Sequence, residues 1–190
     1  MVKISDRLKT AASLIREGAV LADVGTDHGY VPIYLLEQKK IKSAIAMDIN
    51  KGPLERAREH IHLYGMDAYI QTRLSDGVAA LEKGEADSIL VAGMGGGLVM
   101  HILEEGKDIC QAAGELILQP QSELCSVREY LAENGYVTEA ERMVFEDGKY
   151  YPMMRAVKTE QDETWNRLND QTIAVCDISV SYTHLRAHET

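Results

Sequence analysis

The chain contains no apolar run approaching the ~20 residues that a membrane helix needs, and its first residues carry no hydrophobic signal-peptide segment. Both absences lead to the expectation of a cytoplasmic protein. Cysteine is scarce: Cys110, Cys125 and Cys176 are odd in number and scattered, without a Cys-x-x-Cys pair, so neither a disulfide framework nor a zinc site is expected. His60 and His62 stand two apart on an expected helix and face different ways, so no metal is implied. Positive charge is also in deficit. With 20 basic against 30 acidic residues the formal net charge is -10, which argues against bulk affinity for nucleic acid, since that needs Lys and Arg to displace counterions. A local basic patch escapes the argument. Its candidates are Lys3, Arg7, Lys9 and Arg16, with Lys39, Lys40 and Lys42 nearby in sequence, although solvated faces of surface helices account slightly better for them.

What is present is an ordinary globular composition, 45% hydrophobic and 26% charged over 190 residues, enough for one domain with a substantial core and at most a small appendage. The chain is organised around Val20 to Tyr30. Val20–Val24 reads as a buried parallel strand, Gly25 to Gly29 as a tight turn, and a helix begins near Tyr30. Strand, glycine turn and helix open a nucleotide-binding α/β domain, with the ligand across the strand's carboxyl end. A pyrophosphate site would offer bare N–H groups there. Here Asp23 precedes the loop and Asp27 lies inside it, which suits a positively charged ligand such as the ammonium and sulfonium of S-adenosyl-L-methionine. The plainer alternative is a left-handed turn glycine with solvated aspartates.

The rest alternates similarly. Ser5 caps an amphipathic helix to Ile15. Ser43–Met47 is a second apolar strand, and Asp48 at its end lies near the ~20-residue spacing at which an acidic side chain grips ribose hydroxyls. A helix cap is the other role open to Asp48. Tyr69–Leu74 alternates as a strand, with Asp76 placed either against an adenine or as a cap, and Ala79–Glu82 reads as a short helix. Ser88–Ala92, the most apolar strand, runs into Gly93-Met94-Gly95-Gly96-Gly97. Four glycines there are costly in chain entropy, so either something approaches the backbone closely or φ is positive. The missing Gly-Lys-Ser/Thr ending makes ATP a poor fit. Glu115–Leu118 is a fifth strand, and two more flank the Glu146-Asp147-Gly148 turn, a hairpin signal. The expected fold is a three-layer α/β sandwich, Rossmann-like, whose mostly parallel seven-stranded sheet ends in an antiparallel C-terminal hairpin.

With these residues placed, the chain resembles the bacterial tRNA (adenine(22)-N1)-methyltransferases. The resemblance runs from Ile4 to about Lys158. It rests on Ser5-Asp6-Arg7-Leu8, Asp23-Val24-Gly25-Thr26-Asp27-His28, Gly93-Met94-Gly95-Gly96, Ile117-Leu118-Gln119-Pro120 and the Asn134-Gly135-Tyr136 turn. It implies a class I methyltransferase using S-adenosyl-L-methionine on N1 of an adenine in tRNA. A class I enzyme acting on another RNA, a protein or a small molecule shares the same cofactor half, and a binding protein without turnover is the reading from another class. By resemblance, Asp23, Gly25 and Asp27 contact the methionine moiety, with Thr26 and His28 beside them. Asp48 with Ile49 holds the ribose, Asp76 and Gly77 lie against the adenine, and Gly93 borders the cofactor. Gly93, Met94, Gly95 and Gly96 take the place of the Asn/Asp-Pro-Pro-Tyr loop of amino-methyltransferases, while His28 and Tyr30 are candidates for positioning or stacking the base; a core role for Tyr30 is the equal alternative. The family carries a second, helical domain. The expected organisation is therefore a methyltransferase domain over 1–158, the start of a truncated helical region over 159–178 and a non-native tail over 179–190, working as a monomer on tRNA without metal or membrane.

Overall fold

The structure, a computed structural model, describes residues 2–159. Its elements are α1 (Asp6–Leu14), β1 (Ala19–Val24), α2 (Tyr30–Glu37), β2 (Ile41–Asp48), α3 (Lys51–Leu63), β3 (Ile70–Leu74), β4 (Ser88–Met94), α4 (Gly96–Glu105), α5 (Lys107–Ala112), β5 (Glu115–Pro120), α6 (Leu124–Glu133), β6 (Tyr136–Glu146) and β7 (Lys149–Lys158). The strands form one seven-stranded sheet in the order β3-β2-β1-β4-β5-β7-β6. β1 to β5 run parallel, and the β6–β7 hairpin adds antiparallel to β5. This is the expected sandwich.

The central strands are buried along nearly their whole length, which is why they read as continuous apolar runs rather than alternating ones. On one face Leu21, Leu90 and Ile117 pack under Ala11, Ile33, Leu35 and Ile61 from α1, α2 and α3. On the other, Ala22, Val91 and Leu118 pack under Val99, Leu103, Cys110, Val127 and Leu131 from α4, α5 and α6. The strand order reverses between β1 and β4, so a crevice opens at their carboxyl ends, where ligands of open α/β sheets bind.

One local expectation changes. Ala79–Glu82 is no helix but a pair of turns, closed by Ala79 N–H to Asp76 O (3.1 Å) and Leu81 N–H to Val78 O (2.9 Å). α4 ends at Glu105; at Gly106 a Cβ would stand 2.0 Å from Val78 Cγ2, and α5 follows at once. The basic residues also disperse. Lys9 pairs with Asp6 (2.7 Å), Arg16 with Asp87 (2.8 Å), and Lys40 donates to the last-turn carbonyls of Ala12 and Ser13 in α1 (2.9 and 2.7 Å). Among the described residues no helix is long and apolar enough to cross a membrane, and no three His, Cys, Asp or Glu are grouped to hold a metal ion. The expected regions 160–178 and 179–190, with Cys176, lie outside the described residues.

Candidate active site

β1 delivers Asp23 to the crevice and then turns sharply. Asp27 and Gly29 adopt positive φ (50° and 70°), and Gly29 N–H closes the turn on Thr26 O at 3.0 Å. The backbone N–H groups of Gly25 and Thr26 both donate to Met47 O at 2.8 Å. Those amides extend the pairing with β2 and are not free to cradle a phosphate, so the loop lacks the feature on which dinucleotide sites rest.

Two buried carboxyls stand at neighbouring strand ends. Asp23, 5% exposed, accepts a hydrogen bond from Thr26 Oγ1 (2.6 Å) and has no basic partner among the described residues. Burial pushes its pKa up to about 6, against the pull of the Thr26 hydroxyl and with a smaller push from the Asp48 carboxylate. Asp48, 8% exposed, accepts from Asn50 N–H at Oδ1 (2.8 Å), and among the described residues its other oxygen takes no hydrogen bond. Ile49 beside it is exposed. Asp27 differs from the expectation of a free carboxylate: it is exposed and pairs with Arg56 (3.0 Å) and His28 Nε2 (3.4 Å). The chain meets the charge of Asp27 itself and leaves Asp23 and Asp48 without a cation.

A cavity of about 310 Å³ lies between the ends of β1 and β4, near the lower end of the size usual for small-molecule sites. It brings together Asp23, Gly25, Thr26, Asp27, His28, Tyr30 and Gly93, and adds Arg7, Leu8, Val31, Leu90, Ala92 and Gln121. A smaller hollow of about 190 Å³ holds Asp76 and Gly77 with His101, Ile102 and Glu105. Asp48, Ile49, Met94, Gly95 and Gly96 line neither. Met94 packs with the cluster flooring the smaller hollow, and its methyl stands 2.3 Å from where a Gly25 Cβ would be.

One wall of the larger cavity is a stack of rings. His28 and Tyr30 lie nearly parallel with centroids 5.3 Å apart, and Tyr30 stacks on His60 at 4.6 Å. The His28 carbonyl lies 3.0 Å from His60 Nδ1, which must therefore carry the proton and donate. In the neutral ring Nε2 is then the acceptor, and the Tyr30 hydroxyl donates to it at 3.3 Å. In the sequence His60 stands out only as a candidate metal ligand, and nothing singles out Gln121. Arg7 was visible only as a surface cation and part of a motif. These residues arrive from α1, α3 and the loop after β5, which no local spacing reveals.

The glycine loop serves two purposes. Gly93 has a φ of 78°, which asks for glycine. At Gly96 a Cβ would stand 2.5 Å from the Ser122 carbonyl oxygen and 2.8 Å from Glu123 Cβ, so the start of α6 is what approaches there. The first amides of α4 are capped from the same segment: Gly96 N–H donates to Ser122 Oγ (3.1 Å) and Gly97 N–H to Glu123 Oε2 (2.7 Å). Only Gly93 and Gly95 keep an exposed backbone on the crevice side of Gly96.

A crevice at the β1/β4 reversal, two buried carboxyls awaiting a cation or hydroxyls, and amides withheld from phosphate define a methyltransferase domain, and the family described as methyltransferase domain matches residues 4–154. The chain is 40% identical over 168 residues to the tRNA (adenine(22)-N(1))-methyltransferase of Bacillus subtilis, covering 88% of this chain and 71% of that protein. The crystal structure of the Bacillus subtilis tRNA methyltransferase TrmK superposes with a TM-score of 0.81 at 41% identity, over 85% of this chain and 69% of that one. A Streptococcus pneumoniae protein solved in complex with S-adenosyl-L-methionine superposes at 0.80 and 38% identity, over 88% and 79%. The chain belongs to the family of tRNA (adenine(22)-N1)-methyltransferases.

Proposed function

We propose that this chain transfers the methyl group of S-adenosyl-L-methionine to N1 of an adenine in tRNA, at position 22 as in the name of its Bacillus subtilis relative. The carrying observation is the single cavity that joins the β1 end, with Asp23 and Gly25, to the β4 end, with Ala92 and Gly93. It offers a donor side and an acceptor side within one open crevice. The residues fit the cofactor. Asp48, with one oxygen free, is placed to accept from ribose hydroxyls. The unpaired carboxyl of Asp23 suits the methionine ammonium. Thr26, Asp27 and His28 would border the methionine moiety, Ile49 would flank the ribose, and Asp76 and Gly77 would hold the adenine. Bound S-adenosyl-L-methionine supplies an electrophilic methyl carbon on a positively charged sulfur.

Adenine N1 is an sp² lone pair with no proton to remove, so the chain needs no obligate general base. Its work is to take up the unpaired base, align N1 and tolerate the cationic product. Asp23 lies on the same cavity without a basic partner among the described residues, and favours the developing positive charge. The stacked His28 and Tyr30 give the base a flat wall. Residues 1–158 are the unit we assign to this chemistry, acting in the cytoplasm as a monomer. The test is incubation with labelled methyl donor and total tRNA, followed by nucleoside analysis. The expected product is N1-methyladenosine, which alkali rearranges to the N6-methyl isomer. A product already N6-methylated before alkali overturns the assignment. So does a loss of ~10²–10⁴-fold in rate on His28→Ala, since an exocyclic amine acceptor leans on a base worth that much.

A further inference from the structure

Gln119, near the carboxyl end of β5, is fully buried, and neither its amide nitrogen nor its amide oxygen has a hydrogen-bond partner among the described residues. A buried amide with both ends unpaired is unfavourable and rare, and it marks a place where a ligand's polar groups belong. Its position agrees. Gln119 is in register with Ala92 of β4, a cavity-lining residue. Ile117, two residues earlier, packs in the cluster that contains Leu90 and Ala92, so strand alternation puts the Gln119 side chain on the cavity's face of the sheet. Arg7 and Gln121 stand over these strand ends, with Nη1 and Nε2 at 3.8 and 3.9 Å from where a Gly93 Cβ would be. Arg7 is held there only by a 3.6 Å ion pair to Glu146 and a 5.1 Å contact over the Tyr151 ring, with no hydrogen bond among the described residues. Gln119 itself does not line the cavity, so contact with a base requires the side chains over the strand ends, Arg7 among them, to turn aside.

We propose that Gln119 is the specificity-determining residue for the acceptor base, reading the N6/N7 edge of adenine; this rests on the proposed adenine-N1 chemistry. Its Oε1 accepts from the exocyclic N6–H, and its Nε2–H donates to N7, the bidentate match of an amide to adenine. The Watson–Crick edge is not open to the same contact, because N1 must face the methyl carbon. Guanine presents O6 and N7, two acceptors, and sets O6 against Oε1.

The experiment uses the full chain with synthetic tRNA carrying adenosine or 7-deazaadenosine, which lacks the N7 acceptor, at the target position. It compares the unaltered chain with Gln119→Met, of similar length and without hydrogen-bonding groups. The unaltered chain is expected to lose about tenfold or more in kcat/KM on the 7-deaza substrate. Gln119→Met is expected to lose about as much on ordinary adenosine and nothing further on 7-deazaadenosine, with unchanged calorimetric affinity for S-adenosyl-L-methionine and an undiminished melting temperature. Equal 7-deaza penalties in both proteins overturn the inference, as does a variant that loses melting temperature and donor affinity together. If the variant does not fold, the unaltered chain decides alone: indifference to 7-deaza substitution while N1-methyladenosine still forms sinks the role of Gln119 and leaves the proposed reaction standing. Absence of N1-methyladenosine from adenosine-containing tRNA sinks the reaction itself.

Discussion

The two edges of the sheet treat buried polar groups in opposite ways. At the amino edge, Glu115 is wholly buried, yet its carboxylate accepts from Ser88 Oγ (2.6 Å), Arg16 N–H (2.8 Å) and Arg155 Nε (2.5 Å). Beside it Asp87 accepts from Val20 N–H (2.9 Å) and pairs with Arg16 (2.8 Å). At the carboxyl edge, Asp23 is almost as deeply buried but has one neutral hydroxyl for company, Asp48 keeps one oxygen free, and the Gln119 amide is unpaired. Both edges close the same layers, so packing does not require the difference. The amino edge spends its polar groups on holding the chain together, whereas the carboxyl edge keeps them in reserve for molecules that arrive.

If that contrast is right, substitutions at the two edges should separate stability from binding. Glu115→Ala leaves Ser88 and the Arg16 backbone N–H without their acceptor and Arg155 with Glu139 as its remaining partner (3.1 Å), and is expected to cost about 3–5 kcal/mol in urea unfolding, with donor affinity of the folded protein unchanged. A comparable loss of affinity would erase the distinction. Asp48→Ala is expected to do the reverse: a loss of about 1.5–3 kcal/mol in calorimetric donor affinity with the melting curve preserved. Asp23→Asn should raise stability by about 1–3 kcal/mol near neutral pH while weakening donor binding. The sign follows from its folded pKa of about 6, above the ordinary 3.8. Between these values the native state binds more protons than the unfolded chain, so wild-type stability falls as pH rises from about 4 to about 6 and the deficit is complete above that range. The gap between variant and wild type should therefore vanish below about pH 4. A gap independent of pH would assign the effect to packing. Smallest is Tyr30→Phe, which removes the donor to His60 and is expected to cost about 0.5–1.5 kcal/mol of stability with a few-fold loss of rate.

The contrast was only half legible in the sequence. The alternation of β–α units and the Asp-Gly hairpin came through because buried strands and turns write themselves in short windows. The strand-end acids Asp23 and Asp48 came through because their spacing follows the strand–helix–strand unit. Arg7, His60 and Gln121 did not, since they meet only after α1, α3 and the loop beyond β5 have folded against one another. Glycine was legible as a demand for space without naming its neighbour. At Gly96 that neighbour is Ser122 and Glu123. Asp27 was recognised as acidic, but its pairing with Arg56, 29 residues away, was not.

The raised carboxyl of Asp23 also gives the site a proton ledger. Near pH 6 the free protein holds about half a proton there. A cation settling beside it favours the ionised form, so loading the site expels that fraction into the surrounding solution. The heat measured on binding near pH 6 should then change with the ionisation enthalpy of the buffer, in phosphate against imidazole, and cease to do so well above it.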